Sequence, residues 1–433
     1  MKTSSVFFPP PASFKYDYFD KPDIIKDLQI SNFNLQPGKI TVMKRLFLFS
    51  LIILACAAIN IKVFAGGIYN RLSDPLATAE TKALYENLHK LAPKGYLFGH
   101  QDDLAYGVNW RYKKNHSDVK EACGDYPALY GWDMSGIEKN PAGKNIDGVP
   151  FDKMCEYIKE GYNRGGVVTL SWHVNNPLTE GNAWDTTPGA VNAVLPGGEK
   201  YEAFKKWLDN AAAFILSLKG KNNELIPILF RPFHELTGNW FWWCRNTCTA
   251  RQFKELWRYT FNYLIKVKHC HNLIFVYNTS DNFNTADEFL ERFPGNDVAD
   301  IISFDTYQYN DPKTDNSFIK GTAARLDILD SVALQTGKLT AIAETGYEAI
   351  PYATWWTGIL QNAIGSHSVS YVLVWRNHGY NESMKKMHYY APYKGQLSEK
   401  DFIRFYQDKK TFFEKDIAAV KIYKKTGYRI KKG

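Results

Sequence analysis

Two glutamates, Glu235 in "RPFHELTGNWFWW" and Glu344 in "AETGY", each follow an apolar run that reads as a buried strand. A strand that only fills a core has no use for the ionisable pair His234–Glu235, because an unpaired charge is costly to bury. Two opposed carboxylates can divide the labour of acid–base chemistry. One keeps a proton for a leaving group while the other stays ionised and attacks. Retaining glycoside hydrolysis requires that division, with the two groups about 5–5.5 Å apart. Glu235, between His234 and an aromatic cluster, is expected to be the more desolvated, and so the acid with the raised pKa. Glu344 needs donors to stay ionised and aimed; Tyr307 and His234 are candidates, and Arg231 can hold the carboxylate field together. Taken singly, each glutamate also reads as an ion-paired strand end.

Around this pair, Trp240, Trp242, Trp243 and Trp375 offer flat apolar faces suited to the C–H faces of a pyranose ring. Trp242 and Trp243 serve a core equally well, whereas Trp375, beside Arg376 at a strand end, favours the platform role. His173 in "SWHVNNP" stands alone, as fit for packing as for a ligand. His100 and Asp103 in "GHQDDLAYG" read as structural, and the aspartates there lack the spacing of a calcium loop. "CRNTC" (244–248) is too isolated for a zinc site; a loop disulfide or two plain thiols fit it better.

These residues need a scaffold that brings distant positions together. From about residue 95 one rhythm repeats, an apolar run ending in polar or aromatic residues and followed by an amphipathic stretch. The runs are "GYLFGHQ" (95–101), "YPALYGWDM" (126–134), "GGVVTLSWH" (165–173), "IPILFRPFHE" (226–235), "NLIFVYNTS" (272–280), "DIISFDTYQ" (300–308), "KLTAIAETGY" (338–347) and "VSYVLVWRN" (368–377). Their continuous apolar cores predict strands buried on both faces, as in a parallel sheet. Helical patterns lie between them, as at 201–218 and 250–267. Eight such units predict an α/β fold of the (β/α)8 TIM-barrel type. An open doubly wound sheet is the alternative, disfavoured by the regular count and the lack of a Gly-rich phosphate loop. In a barrel the ends of the fourth and seventh strands face each other across the mouth. Residues 66–94 should supply a helix packed on the barrel and 397–417 the closing one. The Gly/Pro/Asn-rich 174–200 segment reads as a long loop able to block one end of a cleft.

The bulk numbers fit a single domain over 66–433. The 433 residues are 45% hydrophobic and 15% aromatic, and the formal net charge is +8. That charge sits at the ends. Residues 1–65 carry eight Lys/Arg against four Asp, the last thirteen carry six basic groups, and 66–420 is left at about −2. A nucleic-acid partner is therefore rejected. "MKRLFLFSLIILACAAIN" from Met43 has a basic n-region and an apolar run too short to span a membrane, and "VFA" precedes Gly66. We expect a signal peptide at 43–65, a start-site artefact at 1–42, and a periplasmic protein, with lipid anchoring at Cys56 or secretion as alternatives. Outside that segment five cysteines remain, an odd number whose pairing sequence cannot give.

The quoted segments resemble glycoside hydrolase family 26, the β-mannanase family of (β/α)8 retaining hydrolases. "RPFHELTGNWFWW" looks like its acid/base segment, and "GHQDDLAYG", "SWH", "FDTYQ", "AETGY" and "VWRN" are similar to its other segments in the same order, across 95–377. The resemblance implies Glu235 as acid/base, Glu344 as nucleophile and Tyr307 as its hydrogen-bond partner. His173, Arg231, His234 and Trp375 are implied to line the subsite of the reacting sugar. Trp240 would lie on the leaving-group side, and Arg376 one subsite further toward the non-reducing end. It also implies a β-1,4-mannan substrate (mannan, glucomannan or galactomannan), with mannobiose release as one mode. A monomer needing no metal or organic cofactor is expected. The rivals are a mixed-linkage β-1,3/1,4-glucanase or xylanase of the same family, and a catalytically silent glycan-binding protein.

Overall fold

The structure, a computed structural model, describes residues 71–425. The proposed start-site artefact, the signal peptide with its cleavage sites, and the basic tail beyond 425 lie outside the described residues.

All eight anticipated strands form. They are β1 (Tyr96–Gln101), β2 (Leu129–Asp133), β3 (Val167–Trp172), β4 (Ile228–Pro232), β5 (Leu273–Ser280), β6 (Ile301–Gln308), β7 (Leu339–Tyr347) and β8 (Tyr371–Val374). Each pairs in parallel with the next, and β8 returns to β1 through Leu97↔Tyr371 to His100↔Val374, which closes the barrel. The continuous apolar runs are explained by alternation. Leu97, Leu129, Val167, Leu229, Ile274 and Ile301 fill one buried cluster inside the barrel, while Phe98, Tyr130, Val168, Phe230, Phe275 and Ile302 fill another beneath the helices. Because both faces are buried, both sets are mainly apolar, and polar members such as Thr169 and Thr340 donate to main-chain carbonyls.

That alternation also decides which strand-end residues reach the mouth. Trp132 and Trp172, at the ends of β2 and β3, belong to the outer cluster and turn away from the mouth. Trp132 stacks on Tyr157, and the Trp172 indole donates to Glu138 at 3.1 Å. His100 also turns outward, bonding Asp103 at 2.7 Å, and the Ser117 hydroxyl donates to the same carboxylate at 2.9 Å. These buried groups are structural, as expected for His100 and Asp103.

One irregularity matters for the site. β6 pairs Phe304 with Ile342 but Asp305 with Glu344, so Ala343 is an extra residue in β7. β8 shows the same one-residue shift, pairing Val372 with Ile342 and Val374 with Thr345. A bulge of this kind re-aims the side chains that follow it. Here it places Glu344 on the same side of the sheet as Asp305, facing the interior.

The floor is closed by helix Ala79–Leu91, whose Leu84, Tyr85 and Leu88 join the interior cluster. Both ends of the described chain meet there. Ser73 bonds Asp300 just ahead of β6, and the Asn87 amide donates to the Ile422 carbonyl at 2.7 Å. The closing segment differs from the single helix expected at 397–417. It is two helices, Glu399–Gln407 and Glu414–Ala419, separated by the short strand Thr411–Phe412, which pairs beside β1. A hairpin after β8, Gly379–Asn381 with Lys386–His388, was not anticipated. All five cysteines of the described residues are free thiols, and Cys244 and Cys248 are buried. Of the two readings left open for that pair, plain thiols hold. No helix of the described residues is long and apolar enough to cross a membrane.

Candidate active site

β4 delivers Arg231 and then turns sharply. Phe233 and Glu235 both take left-handed backbone, with φ of 52° and 53°. For non-glycine residues this costs on the order of 1–3 kcal/mol each, so the surroundings must hold it. They do so through the main chain. The Trp243 indole donates to the His234 carbonyl at 2.8 Å, and the Gly238 N–H donates to that of Glu235 at 2.8 Å. Trp242 donates to the Val174 carbonyl at 2.9 Å. Trp242 and Trp243 are thus fully buried braces, and the platform reading left open for them fails.

The turn aims Glu235 into the cleft, where the Trp240 indole donates to its Oε2 at 2.6 Å. Gly238 leaves room for that indole, since a Cβ there would stand 2.7 Å from the ring. Glu344 enters from the opposite side. Tyr307 donates its hydroxyl to Oε2 at 2.8 Å, and Arg231 donates Nη2 to Oε1. Carboxylate oxygens of Glu235 and Glu344 lie within 4.8 Å of one another. Burial first, and then the charge of Glu344, push the Glu235 carboxyl up to about 7. One group therefore keeps its proton near neutrality while the other is held by two donors.

Arg231 lies elsewhere than the lining position implied for it. It is buried behind Glu344, with Nη1 bonded to Asp305 at 3.1 Å and to Asn278 at 2.5 Å. It fixes the carboxylate from the rear and does not line the cleft.

His173 donates Nδ1–H to Asp133 at 2.8 Å, and its Nε2 stands 3.1 Å from Nε2 of His234. Burial opposes a charge on His173, yet Asp133 outweighs it and raises the ring's pKa. Burial and the positive His173 drive His234 the other way, well below the usual histidine range. The pair thus forms one wall in which Asp133 favours the charge on one ring while burial disfavours it on the other. His234 does not touch Glu344 by a hydrogen bond; that candidate role falls to Tyr307 and Arg231.

His173, His234, Glu235, Trp240, Tyr307, Glu344 and Trp375 all line one cleft at the barrel mouth. Arg376 lies beyond it, its Nη1 on Asp147 at 2.9 Å. Sequence reasoning passed over several lining residues. Trp184 stacks on His173 at 5.1 Å and 15°, and Phe241 meets both rings. Tyr309, Glu348, His388 and Tyr390 complete the far side. An unpaired Trp in the polar 174–200 loop and the "HYY" after the last strand were the available signals.

Residues 73–389 match the glycosyl hydrolase family 26. The chain is 32% identical to a mannan endo-1,4-β-mannosidase of Bifidobacterium adolescentis over 84% of its own length, and covers 38% of that protein. It is 26% identical over half its length to one from Bacillus subtilis, covering 58% of it. The chain therefore spans less than two thirds of these curated relatives. Among solved structures, a family 26 β-mannanase from Bacteroides ovatus is 43% identical with a TM-score of 0.76, covering 81% of this chain and 99% of that one. The catalytic domain of an endo-β-1,4-mannanase from Bacillus sp. JAMB-750 is 30% identical with a TM-score of 0.74, covering 82% and 96%. A match across most of the sequence, with one neighbour covered almost end to end, places the chain in glycosyl hydrolase family 26.

Proposed function

We propose that this chain is a retaining glycoside hydrolase that cleaves β-1,4-mannosidic linkages in mannans and manno-oligosaccharides. The observation that carries the reading is the carboxylate pair. Oxygens within 4.8 Å suit a double displacement, since inverting enzymes hold their carboxyl groups further apart to admit a water between them. Glu235 protonates the glycosidic oxygen while Glu344 attacks the anomeric carbon. Glu235, now ionised, then takes a proton from water, which releases the sugar with retained configuration. Mannose as the sugar is supported by the relatives, whose names specify mannan. The His173–His234 wall, Trp240 and Trp375 supply the polar and flat faces such a ring needs.

The test is incubation with β-1,4-mannohexaose and, separately, with mixed-linkage glucan oligosaccharides, with Glu344→Gln as the control. Mannohexaose cleavage with retained anomeric configuration, lost in the variant, is the expected result. Cleavage of the glucan alone would overturn the substrate but keep the mechanism. Export to the periplasm belongs to the same proposal, on the strength of the basic and apolar pattern from Met43. N-terminal sequencing of the cell-envelope fraction tests it, and a start retaining residues 43–65 would refute cleavage.

A further inference from the structure

Beside the cleft, two aspartates are buried against one another with no base between them. Asp102 follows β1 and Asp147 lies in the loop after β2; their carboxyl groups stand within hydrogen-bonding reach of each other, and each has one buried oxygen, Oδ1 and Oδ2 respectively, without a conventional donor. The other Asp102 oxygen accepts from the Tyr106 hydroxyl, and the other Asp147 oxygen is held by Arg376. Two ionised carboxylates so placed would repel in a medium that screens poorly, and each orphaned oxygen would lack a partner. A single proton between them removes both difficulties. Asp147 faces the guanidinium at 2.9 Å and is the better anion, so the proton belongs to Asp102. Burial and then the charge of Asp147 raise Asp102 well above the usual aspartate range, in keeping with that assignment.

We propose that Asp102 is a positioning residue, a neutral acid that donates to Asp147 and through it fixes Arg376, the side chain that the family resemblance sets beside the sugar beyond the reacting one. The inference rests on the proposed mannan-cleaving function for its ligand. The order of contacts is Tyr106 hydroxyl to Asp102, Asp102 to Asp147, and Asp147 to Arg376. Asp102 itself touches no substrate. Its left-handed backbone, φ 56°, is anchored by its N–H on the Gly131 carbonyl at 2.8 Å and is one that Asn adopts readily.

Because Asp102 works only while protonated, its hold on Arg376 is present at acid and neutral pH and is lost as pH rises through its raised value. Other groups face this cluster. They are Arg111, whose guanidinium covers the Tyr106 ring at 4.8 Å, Asp133 and His173 from the ends of β2 and β3, and His378 and His388 after β8. His378 and His388 are pushed below the usual histidine range by burial, whereas Asp133 raises His173; all three titrate alike in the parent and in Asp102→Asn, so their contribution cancels in that comparison.

The test is mannotetraose binding by calorimetry between about pH 5 and about pH 9. It uses a Glu235→Gln parent, which abolishes turnover and removes that group's own titration. Asp102→Asn, whose amide still donates but cannot ionise, should bind within about twofold of the parent and lose the weakening at high pH. Asp102→Ala and Arg376→Ala should each weaken binding by about tenfold or more, as loss of a charge-assisted hydrogen bond does. Combining them should cost no more than Arg376→Ala alone, because both act through one guanidinium. Thermal unfolding of each variant is followed in parallel, and if Asp102→Ala does not fold, the pH profile of Asp102→Asn decides. Asp102→Asn binding as weakly as Asp102→Ala, an unchanged alkaline weakening in Asp102→Asn, or single losses that multiply would overturn the proposal while leaving the function intact. A folded parent that binds no mannotetraose would instead bring down the functional reading on which the proposal rests.

Discussion

Glu235 and Glu344 have the same chemistry and opposite surroundings. Glu235 has one indole donor and a desolvating wall, whereas Glu344 has a phenol and a guanidinium. Removing the proposed nucleophile with Glu344→Gln should lower kcat on the order of 10⁴-fold, with circular dichroism unchanged. Tyr307→Phe deletes one hydrogen bond to that carboxylate and should lower kcat by about 10–100-fold. A KM effect without a kcat effect would remove Tyr307 from the mechanism. The acid must be protonated in the free enzyme, so kcat/KM should fall as pH rises through about 7, the value to which burial and Glu344 push Glu235. The Trp240 indole favours the ionised form. Trp240→Phe should therefore move that alkaline limb to higher pH, and a shift to lower pH would contradict the assignment.

Among the elements, β7 carries the least expected one. Strict alternation after Ala341 would send Glu344 outward beneath the helices. The extra residue Ala343 returns it to the interior beside Asp305. Inserting one alanine after Ala343 should move Glu344 on by one position of the alternation and turn it away from the mouth. The expected result is a folded barrel with no measurable hydrolysis, and retained activity would show that the register of β7 does not aim Glu344. In the sequence the bulge leaves no mark, because "LTAIAETGY" reads as an ordinary apolar run. The strands themselves were legible because faces buried on both sides are mainly apolar. The orientation of strand-end side chains was not, since Trp132, Trp172 and Trp375 stand alike near the ends of their runs, yet only Trp375 reaches the cleft. The 174–200 loop does reach the cleft, where its Trp184 packs on His173 and Phe241. Trp184→Ala should raise KM by about tenfold with little change in kcat, since stacking on this scale is worth roughly 1–2 kcal/mol.

Across the whole molecule, stability and chemistry occupy opposite ends of the barrel. Near the floor, Glu414 in the last helix takes both carboxylate oxygens to Arg164 Nε at 3.0 Å and also accepts from Tyr130 of β2. Arg164 ends the helix Phe151–Arg164, so one buried charge ties three elements. Glu414→Gln leaves Arg164 with Glu160 as its remaining carboxylate and should cost about 1–2 kcal/mol in urea unfolding, with kcat unaltered. This network was illegible in the sequence, since its members are up to 284 positions apart and each looks like an ordinary surface residue. The carboxylate pair was legible because strand order alone sets β4 against β7.

Both ends of the described chain leave from the floor, at Ser73 against Asp300 and at Asn87 against Ile422. The cleft opens on the other side. Anything joined at either end, whether an acyl anchor, a neighbouring module or a resin, would therefore grip the molecule by its base and turn its open mouth outward. Tethering and access to a long polymer then make no conflicting demands on the same surface.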